Sequence, residues 1–381
     1  MDAEVAVIGL GTMGSMVTWQ LAKKGVSVLG FEQFGVGHDR SAHGGGSRRF
    51  GVVTFVPEEI EYKYDAHYYF RDLERETGQS LLTHGGTLTI GHPDSDRMKR
   101  TLDAINKYKL PHRIYETKEA QKRFPMHKLY PGEIVVYDEL GGVLRPEQTI
   151  ISAVNRAKVL GAQTKTHTEV TNIEPDSNGV TIETADGETY RVGKVVITTG
   201  PWGDKLYPKV KDVFTVQRRL MTWFIPETPK YFTEEYFPNF GRTTDGTSLV
   251  GAPAMDGRLV RINDRTVSDE YVQSVEMESA DDLVKNVSMK ELASVRETVK
   301  RFLPNLNPDP VTALALMEGF TKDGLPLVGN TKDHENVYLA IGFSARGFSQ
   351  APTIGAIVSD LVTKDSTKYQ IDHILPDRYG I

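Results

Sequence analysis

The chain has 381 residues, of which 39% are hydrophobic and 25% charged, and its formal net charge is −6. This composition is typical of a globular protein long enough for two domains. Because no block of basic residues stands out, nucleic acid and anionic membranes are not expected partners. No apolar run is long enough to predict a membrane span, and a predicted strand begins too early to leave room for a signal peptide, so we expect a cytoplasmic protein.

The chain contains no cysteine. This excludes disulfides, thiolate metal ligands, thiol nucleophiles and a cofactor linked through cysteine. The ten histidines show neither H-x-x-x-H nor H-E-x-x-H spacing. We therefore expect no metal site.

The N-terminal segment carries a glycine motif between two apolar runs. Residues 4–8 predict a buried strand, residues 9–14 read GLGTMG, and residues 16–24 predict a helix. A second apolar run, residues 26–31, ends at Glu32. Strand, G-x-G-x-x-G, helix, strand and acidic residue together form the fingerprint of a site for an adenine dinucleotide.

Each part of this motif has a physical task. Gly9 allows the tight turn, Gly11 lets a pyrophosphate approach the backbone, and Gly14 lets the helix pack on the strand. The helix N-terminus supplies free N–H groups to phosphates. Glu32 accepts hydrogen bonds from ribose hydroxyls and repels a 2′-phosphate, which disfavours NADP. The motif alone leaves NAD and FAD open.

A second glycine-rich segment, residues 41–49, reads SAHGGGSRR. Its three successive glycines allow the backbone to lie close to a flat ligand, or simply make a flexible loop. Arg48 and Arg49 either meet a cofactor's diphosphate or carbonyl edge, or are solvated surface side chains. Position in the sequence leaves both interpretations open.

The middle of the chain favours FAD over NAD. Residues 163–190 predict short strands, and residues 194–199 predict a buried strand that ends at Gly200. Such a strand after a small β-meander completes the nucleotide-binding domain of many FAD proteins, whereas NAD dehydrogenases usually continue with βα units. Residues 213–265 predict further strands, and the polar segment 270–302 predicts a helix.

A second strand–glycine–helix junction lies near the C-terminus. Residues 337–341 predict a buried strand, residues 342–348 read GFSARGF, and a helix is predicted over about residues 350–363. The free N–H groups of a helix N-terminus can hold the N1–C2=O edge of a reduced flavin, which becomes anionic. The alternative is an ordinary tight turn.

With these segments, the chain resembles the monomeric sarcosine oxidase family, which includes N-methyltryptophan oxidase and the fructosyl amino acid oxidases and belongs to the D-amino acid oxidase superfamily. The similarity covers nearly the whole chain. It is strongest in residues 9–14 with Glu32, 41–48, 141–145, 195–202, 218–224 and 342–348.

The resemblance implies a mixed α/β fold. A glutathione-reductase-like FAD-binding domain, formed by residues 1–85, 145–212 and 310–381, is interleaved with a substrate domain of mixed antiparallel sheet, formed by residues 86–144 and 213–309.

The resemblance also implies FAD-dependent oxidation of the C–N bond of an N-substituted amine or amino-acid derivative to an imine. Dioxygen is reduced to hydrogen peroxide, and the protein is a monomer. Two alternatives stay open: an FAD-dependent amine or imino-acid dehydrogenase, or tailoring enzyme, with slow oxygen reactivity, and a non-catalytic flavin-binding protein. An NAD dehydrogenase is a third interpretation, against which the C-terminal glycine junction argues.

The resemblance assigns site residues by motif match. The cofactor-binding candidates are Gly9, Gly11, Thr12, Met13, Gly14, Glu32, Gln33, Ser41, His43, Ser47, Arg48, Val170, Gly200, Trp202, Gly342, Phe343, Arg346, Gly347, Phe348 and Ser349. The catalytic candidates are Arg48, Arg261 and Arg346. The substrate-binding candidates are Arg49, Trp223, Tyr236, Met317 and Ser349.

The chain departs from the family at the position that often tethers the flavin. Relatives often bind it covalently through a cysteine, and this position falls at about Leu316. FAD is therefore expected to be non-covalent, unless a histidine such as His43 replaces the cysteine. The loop of residues 41–49 also carries one extra glycine and a single histidine, which implies a reshaped backbone near the flavin.

Two further departures concern charge. The arginine and lysine that hold the substrate carboxylate in the family fall near Gly51 and at Ser349, so the substrate either lacks that carboxylate or has it held by Arg49 or Arg346. The lysine that activates dioxygen falls at Arg261, or at Val260 if the alignment shifts by one residue. Arginine keeps the positive charge, whereas valine removes it and favours a slow oxidase or a dehydrogenase.

Overall fold

A computed structural model of the protein describes residues 1–257, 259–265 and 274–381. Its helices and strands follow one another in the chain as β1 (Ala3–Ile8), α1 (Thr12–Lys23), β2 (Val28–Glu32), β3 (Arg48–Phe50), α2 (Ile60–Thr77), β4 (Thr87–Gly91), α3 (Asp96–Tyr108), β5 (His112–Glu116), α4 (Thr117–Arg123), β6 (Ile134–Asp138), β7 (Gly142–Leu144), α5 (Pro146–Val159), β8 (Gln163–Thr166), β9 (Val170–Asp176), β10 (Gly179–Thr184), β11 (Thr189–Ile197), α6 (Gly203–Leu206), β12 (Phe214–Phe224), β13 (Asn239–Thr244), β14 (Thr247–Ala252), β15 (Val260–Asp264), β16 (Ser274–Met277), α7 (Ala293–Phe302), β17 (Thr312–Thr321), β18 (Leu327–Asn330), β19 (Val337–Ile341) and α8 (Ala351–Lys364).

The first sheet has the strand order β18-β19-β11-β1-β2-β8, and the hairpin β9–β10 is attached to β11. The strands β19, β11, β1, β2 and β8 pair in parallel. Helix α1 packs on α5 and α8. All five residues of β2 are buried, as expected for a parallel strand covered on both faces. This sheet places the carboxyl ends of β1, β2, β11 and β19 at one edge, where ligands bind in such folds.

The second sheet has the strand order β16-β12-β15-β14-β13-β4-β6-β5. Strand β17 also pairs with β12. Most of these pairs are antiparallel, whereas β13 and β4 are parallel. The mixed sheets and their helices confirm the predicted α/β class. Strand β17 lies within the segment that the sequence assigned to the FAD-binding domain, but it pairs with β12 from Phe214 to Trp223. A ladder of this length makes β17 part of the second sheet.

One predicted helix is much shorter than expected. Residues 270–273 lie outside the described part of the chain, and Ser274–Met277 form β16, which pairs with β12. Helix α7 begins only at Ala293. The prediction was wrong for residues 274–277 because a polar, charged segment can form an edge strand when a sheet offers it a partner. Of the described helices, none is long and apolar enough to cross a membrane.

Candidate active site

The turn between β1 and α1 has room only for glycine at two positions. Gly9 adopts a φ of +89°. A Cβ atom on Gly14 would lie 1.8 Å from the carbonyl oxygen of Gly9. Gly11 is different, because a Cβ atom there would lie 3.6 Å from Nδ1 of His43, at an ordinary contact distance. The backbone thus folds as the sequence motif predicts, and Gly11 lines a cavity.

A long first cavity extends from this turn to the C-terminal glycine turn. Its volume is about 1740 Å³ including its open mouth. It is lined by most of the predicted cofactor-binding residues: Gly9, Gly11, Thr12, Met13, Glu32, Gln33, Ser41, His43, Arg48, Val170, Gly200, Trp202, Gly342, Phe343, Gly347 and Phe348. Of the remaining candidates, Gly14 packs beneath the turn, the carbonyl of Ser47 accepts a hydrogen bond from Arg48, and Arg346 and Ser349 line a second cavity.

Glu32 lies at the carboxyl end of β2 and is 3% exposed. Its Oε2 accepts a hydrogen bond from the N–H of Leu10 at 2.9 Å, and its Oε1 accepts one from the N–H of Phe34 at 2.9 Å. Burial raises the pKa of Glu32 above its usual value, and these backbone donors offset part of the rise. The carboxylate is therefore fixed by the backbone at the end of the cavity where a ribose is expected.

His43 supplies an unused polar atom to the same cavity. Its Nδ1 lies 2.8 Å from Oγ of Ser41, and its Nε2 is buried without a hydrogen-bond partner among the described residues. Burial lowers the pKa of His43 to about 3, so the ring is neutral near pH 7. A buried polar atom of this kind needs a partner, which a polar ligand in the cavity could supply. The glycine turn, Glu32 and His43 thus fit FAD.

Arg48 organises the glycine-rich loop from within. Its guanidinium donates to the carbonyl oxygens of Gly44 at 2.6 Å and of Ser47 at 2.7 Å, and also to that of Ala42. Arg48 is therefore not a solvated surface side chain, because it is bound to the loop and lines the cavity.

The C-terminal turn brings the two ends of the chain together. Gly342 has a φ of +74°, and a Cβ atom on it would lie 2.6 Å from Cγ2 of Thr321. A Cβ atom on Gly347 would lie 2.7 Å from Cε of Met13, in the first turn of α1. The second glycine junction therefore packs directly against the first, and both face the same cavity.

A second cavity, of about 1210 Å³ including its mouth, adjoins the first. The residues that line both cavities are Arg48, Arg219, Arg261, Arg265, Ser344, Ala345 and Phe348. We call this shared set the junction. A ligand in the first cavity and a ligand in the second would meet there.

Arg261 belongs to the junction. It is one of the two residues at which the sequence placed the lysine that activates dioxygen in the sarcosine oxidase family. It is 4% exposed, and its Nε and Nη2 have no hydrogen-bond partner among the described residues. Val260 instead packs in the core of the second sheet with Phe224 and Phe302. The structure therefore places Arg261, not Val260, at the cavities. Burial lowers the pKa of Arg261 well below its usual value, and Arg48 and Arg265 add to the effect.

Arg49 and Arg346, the two candidates for holding a substrate carboxylate, both line the second cavity. Arg49 donates from Nη2 to Oγ1 of Thr89 at 3.3 Å, and its Nε has no partner among the described residues. Arg346 donates from Nε to Oε1 of Glu59 at 2.6 Å, which balances part of its charge. Ser349 also lines this cavity and donates to the carbonyl oxygen of Arg346 at 3.3 Å.

Three predicted substrate residues do not belong to the described lining of either cavity. Trp223 packs against Gly45, since a Cβ atom added to Gly45 would lie 3.1 Å from Cζ2 of Trp223. Tyr236 packs edge-on against Tyr231, with ring centroids 5.7 Å apart. Met317 is 1% exposed and lies in the core, because alternation along β17 turns Leu316 and Glu318 to the first cavity instead.

Sequence reasoning missed four cationic residues that line the second cavity: Lys63, Arg97, Arg219 and Arg265. They come from α2, α3, β12 and the end of β15. No local spacing in the sequence connects them, so only the fold brings them together. The arginine that holds the substrate carboxylate in the sarcosine oxidase family falls near Gly51 in this sequence. Gly51 is absent from the described lining, and a Cβ atom on it would lie 3.0 Å from Oδ2 of Asp138.

Two glycine turns facing one cavity, an acidic residue at the ribose end and an adjoining second cavity define a dinucleotide-dependent oxidoreductase. The chain belongs to the FAD dependent oxidoreductase family, whose sequence profile matches residues 4–361. Membership confirms FAD as the cofactor and the protein as an FAD-dependent oxidoreductase.

The curated relatives confirm the resemblance. The chain is 29% identical to the monomeric sarcosine oxidase of Streptomyces avermitilis, over 98% of this chain and 97% of that one. It is 23% identical to the N-methyl-L-tryptophan oxidase of Salmonella enteritidis, over 100% of both. A solved structure of NikD, an unusual amino acid oxidase essential for nikkomycin biosynthesis, superposes with a TM-score of 0.85 at 21% identity and covers 98% of this chain and 97% of that one.

Proposed function

We propose that the protein oxidises the C–N bond of an N-substituted amine or amino-acid derivative to an imine and uses dioxygen as the electron acceptor. The junction supports this proposal, because its residues line both the cofactor cavity and the second cavity. The residues that line the first cavity would hold FAD, which would supply the two-electron chemistry that couples loss of hydride from the carbon next to nitrogen to the reduction of dioxygen, with two protons, to hydrogen peroxide. The imine is then hydrolysed by water.

The side chains of the second cavity orient the substrate and set its protonation. Hydride transfer needs the amine in its neutral form. The cationic side chains of the junction, among them Arg219, Arg261 and Arg265, disfavour a second positive charge and so lower the pKa of a bound amine. Arg49 offers its unpartnered Nε to an anionic group of the substrate.

Anaerobic titration of the yellow holoprotein with amines tests the reaction. We expect at least one N-substituted amine to bleach the flavin absorbance without oxygen, with the colour returning within seconds once air is admitted and hydrogen peroxide forming in equal amount. Bleaching with recovery over many minutes would identify a dehydrogenase. No bleaching by any amine in a panel of N-methyl amino acids, cyclic imino acids, fructosyl amino acids and carboxylate-free amines would overturn the proposal.

We further propose that FAD is bound without a covalent link. Leu316 lines the first cavity where relatives often carry a cysteine, and its alkyl side chain offers no nucleophile. The chain contains no cysteine at all. We therefore expect acid precipitation of the protein to release all of its flavin into the supernatant, measured by absorbance near 450 nm. Yellow colour retained in the washed pellet would contradict this and would point to His43.

We also propose that the enzyme acts as a monomer in the cytoplasm. The relative from Streptomyces avermitilis bears the name monomeric sarcosine oxidase, which supports the first point. Size-exclusion chromatography with light scattering should give the mass of one chain for the holoprotein. A stable dimer would contradict the proposal.

A further inference from the structure

The second cavity is strongly cationic. Eight arginine and lysine side chains occur in its described lining, and no aspartate or glutamate does: Arg48, Arg49, Lys63, Arg97, Arg219, Arg261, Arg265 and Arg346. Repulsion among like charges is strong in a protein interior, where water screens it poorly. Such a lining implies a negatively charged occupant.

Carboxylates outside this lining, among them Glu59, Glu318 and Asp138, balance part of this charge. Glu59 lies 2.7 Å from Nζ of Lys63 and 2.6 Å from Nε of Arg346. Burial raises the pKa of Glu59, but these two cations outweigh burial and hold the pKa below its usual value, so Glu59 is ionised. Glu318 lies 3.9 Å from Arg219.

Asp138, the third carboxylate, attracts Arg49 but accepts hydrogen bonds from the backbone N–H groups of Val53 and Leu140. Burial raises the pKa of Asp138, and these backbone donors and Arg49 offset part of the rise. A clear excess of positive charge therefore remains in the cavity.

We call Arg49, Arg97 and Arg265 the distal arginines. A Cβ atom on Gly241 would lie 3.6 Å from Nη2 of Arg97 and 4.0 Å from Nε of Arg49, so both guanidinium groups border one small space. Burial lowers the pKa of each distal arginine to about 10, with repulsion from neighbouring arginines as a further cause, and all three stay charged near pH 7.

Two of the distal arginines are not part of the cofactor cavity. Arg49 and Arg97 line only the second cavity, whereas Arg265 belongs to the junction. Negative charge on FAD at the junction therefore does not account for them. Arg97 donates to Oγ1 of Thr243 at 3.3 Å and covers the ring of Phe55 at 4.5 Å, which holds its guanidinium in place. Oriented arginines of this kind match oxyanions through paired N–H donors.

We propose that the substrate carries, in addition to its amine, an oxyanion group with two negative charges, and that the distal arginines bind this group. A phosphate monoester, a phosphonate and a pair of carboxylates share the required chemistry. The amine would lie at the junction and the dianion further from the flavin, beside Gly241. This inference rests on the proposed function for the amine, whereas the anion site rests on the cavity alone.

Anion binding to the holoprotein tests the site without turnover. Isothermal titration calorimetry at constant ionic strength would compare inorganic phosphate and succinate with acetate as the singly charged reference. We expect at least one dianion to bind at least tenfold more tightly than acetate. Preference for phosphate would identify a phosphate or phosphonate substrate, and preference for succinate a dicarboxylate. Equal affinities for all three anions would overturn the proposal.

The substitution Arg97→Gln should weaken dianion binding at least tenfold and leave acetate binding nearly unchanged. Arg100→Gln is the matched control, because Arg100 lies on the same helix and over the same Phe55 ring but is exposed and absent from the cavity lining. Arg97→Lys should recover part of the affinity. An unchanged dianion affinity in Arg97→Gln would contradict the assignment.

Gly241→Ala keeps the test decisive if loss of Arg97 prevents folding. The added methyl group would make only ordinary contacts with Arg97 and Arg49 and leaves every charge in place. We expect an unchanged melting temperature without ligand and a severalfold loss of dianion affinity, since the methyl group occupies the space between the two guanidinium groups. Retained dianion affinity in this variant would place the anion elsewhere.

Turnover then separates this inference from the proposed function. N-methylaspartate and N-methylaminomethylphosphonate should exceed sarcosine at least tenfold in kcat/KM. If dianions bind but no amine bleaches the flavin, the proposed reaction fails and the anion site stands. If sarcosine is turned over as efficiently as the dianionic amines, the reaction stands and the inference fails.

Discussion

Replacement of Gly11 by alanine should prevent the protein from retaining FAD while leaving the fold intact. A Cβ atom at this position would lie 3.6 Å from Nδ1 of His43, which the protein tolerates, but it would project into the first cavity where the pyrophosphate approaches the backbone. We expect the affinity for FAD to fall about 100-fold, which corresponds to about 2.7 kcal/mol. Fluorescence titration of the apoprotein with FAD measures this loss.

Gly35→Ala provides the control for this experiment. Gly35 has no described atom within 4 Å of an added Cβ, its φ lies outside the left-handed region, and it does not line the cavity. Its FAD affinity should equal that of the unmodified protein. Circular dichroism should show native secondary structure for both variants. Full FAD affinity in Gly11→Ala would mean that the pyrophosphate does not lie against this turn.

Replacement of Arg261 by methionine should slow the reoxidation of the reduced enzyme by dioxygen about 100-fold. A unit charge about 4 Å from developing negative charge contributes about 4 kcal/mol at an effective dielectric constant of 20, and solvent and neighbouring cations reduce this benefit. Arg261 is buried at the junction, and two of its nitrogens have no partner among the described residues. Stopped-flow mixing of the anaerobically reduced variant with oxygenated buffer measures the rate.

Arg261→Lys tests whether charge alone is required. Lysine keeps the positive charge and should retain most of the reoxidation rate, whereas methionine keeps an unbranched side chain and removes the charge. The rate of anaerobic bleaching by the substrate serves as an internal reference, since oxygen takes no part in that step. Equal reoxidation rates in the methionine variant and the unmodified protein would assign oxygen activation to another residue.

The parts of the fold that local patterns determine could be predicted from the sequence. The strand before Gly9, the turn and α1 follow from apolar runs and glycine spacing, and family membership confirms FAD as the cofactor. The segment 274–277 was predicted incorrectly because its strand depends on a partner, β12, that local composition does not reveal. The pairing of β17 with β12 could not be predicted either, because it also depends on a partner that is distant in the sequence.

The substrate side of the site could be predicted only in part. Arg49, Arg261 and Arg346 were chosen because they neighbour recognisable motifs, and all three line the second cavity. Met317 was predicted to face the substrate, but it faces the core, whereas its neighbours Leu316 and Glu318 face the first cavity. Successive residues of a strand point to opposite faces of the sheet, so an error of one residue exchanges the two faces. Arg97 and Arg265 come from distant elements, and their proximity is a property of the packed sheets that no single stretch of sequence encodes.

The contact between Met13 and Gly347 has a consequence for how the protein is made. The cofactor cavity is completed only when β19 joins β11 and the turn that contains Gly347 reaches α1, so its two glycine turns come from opposite ends of the chain. A chain growing on the ribosome cannot assemble this cavity until β19 and the turn that follows it have emerged. Contacts of such long sequence separation also form late in folding. Capture of FAD at this cavity therefore requires that both glycine turns have been synthesised and brought together.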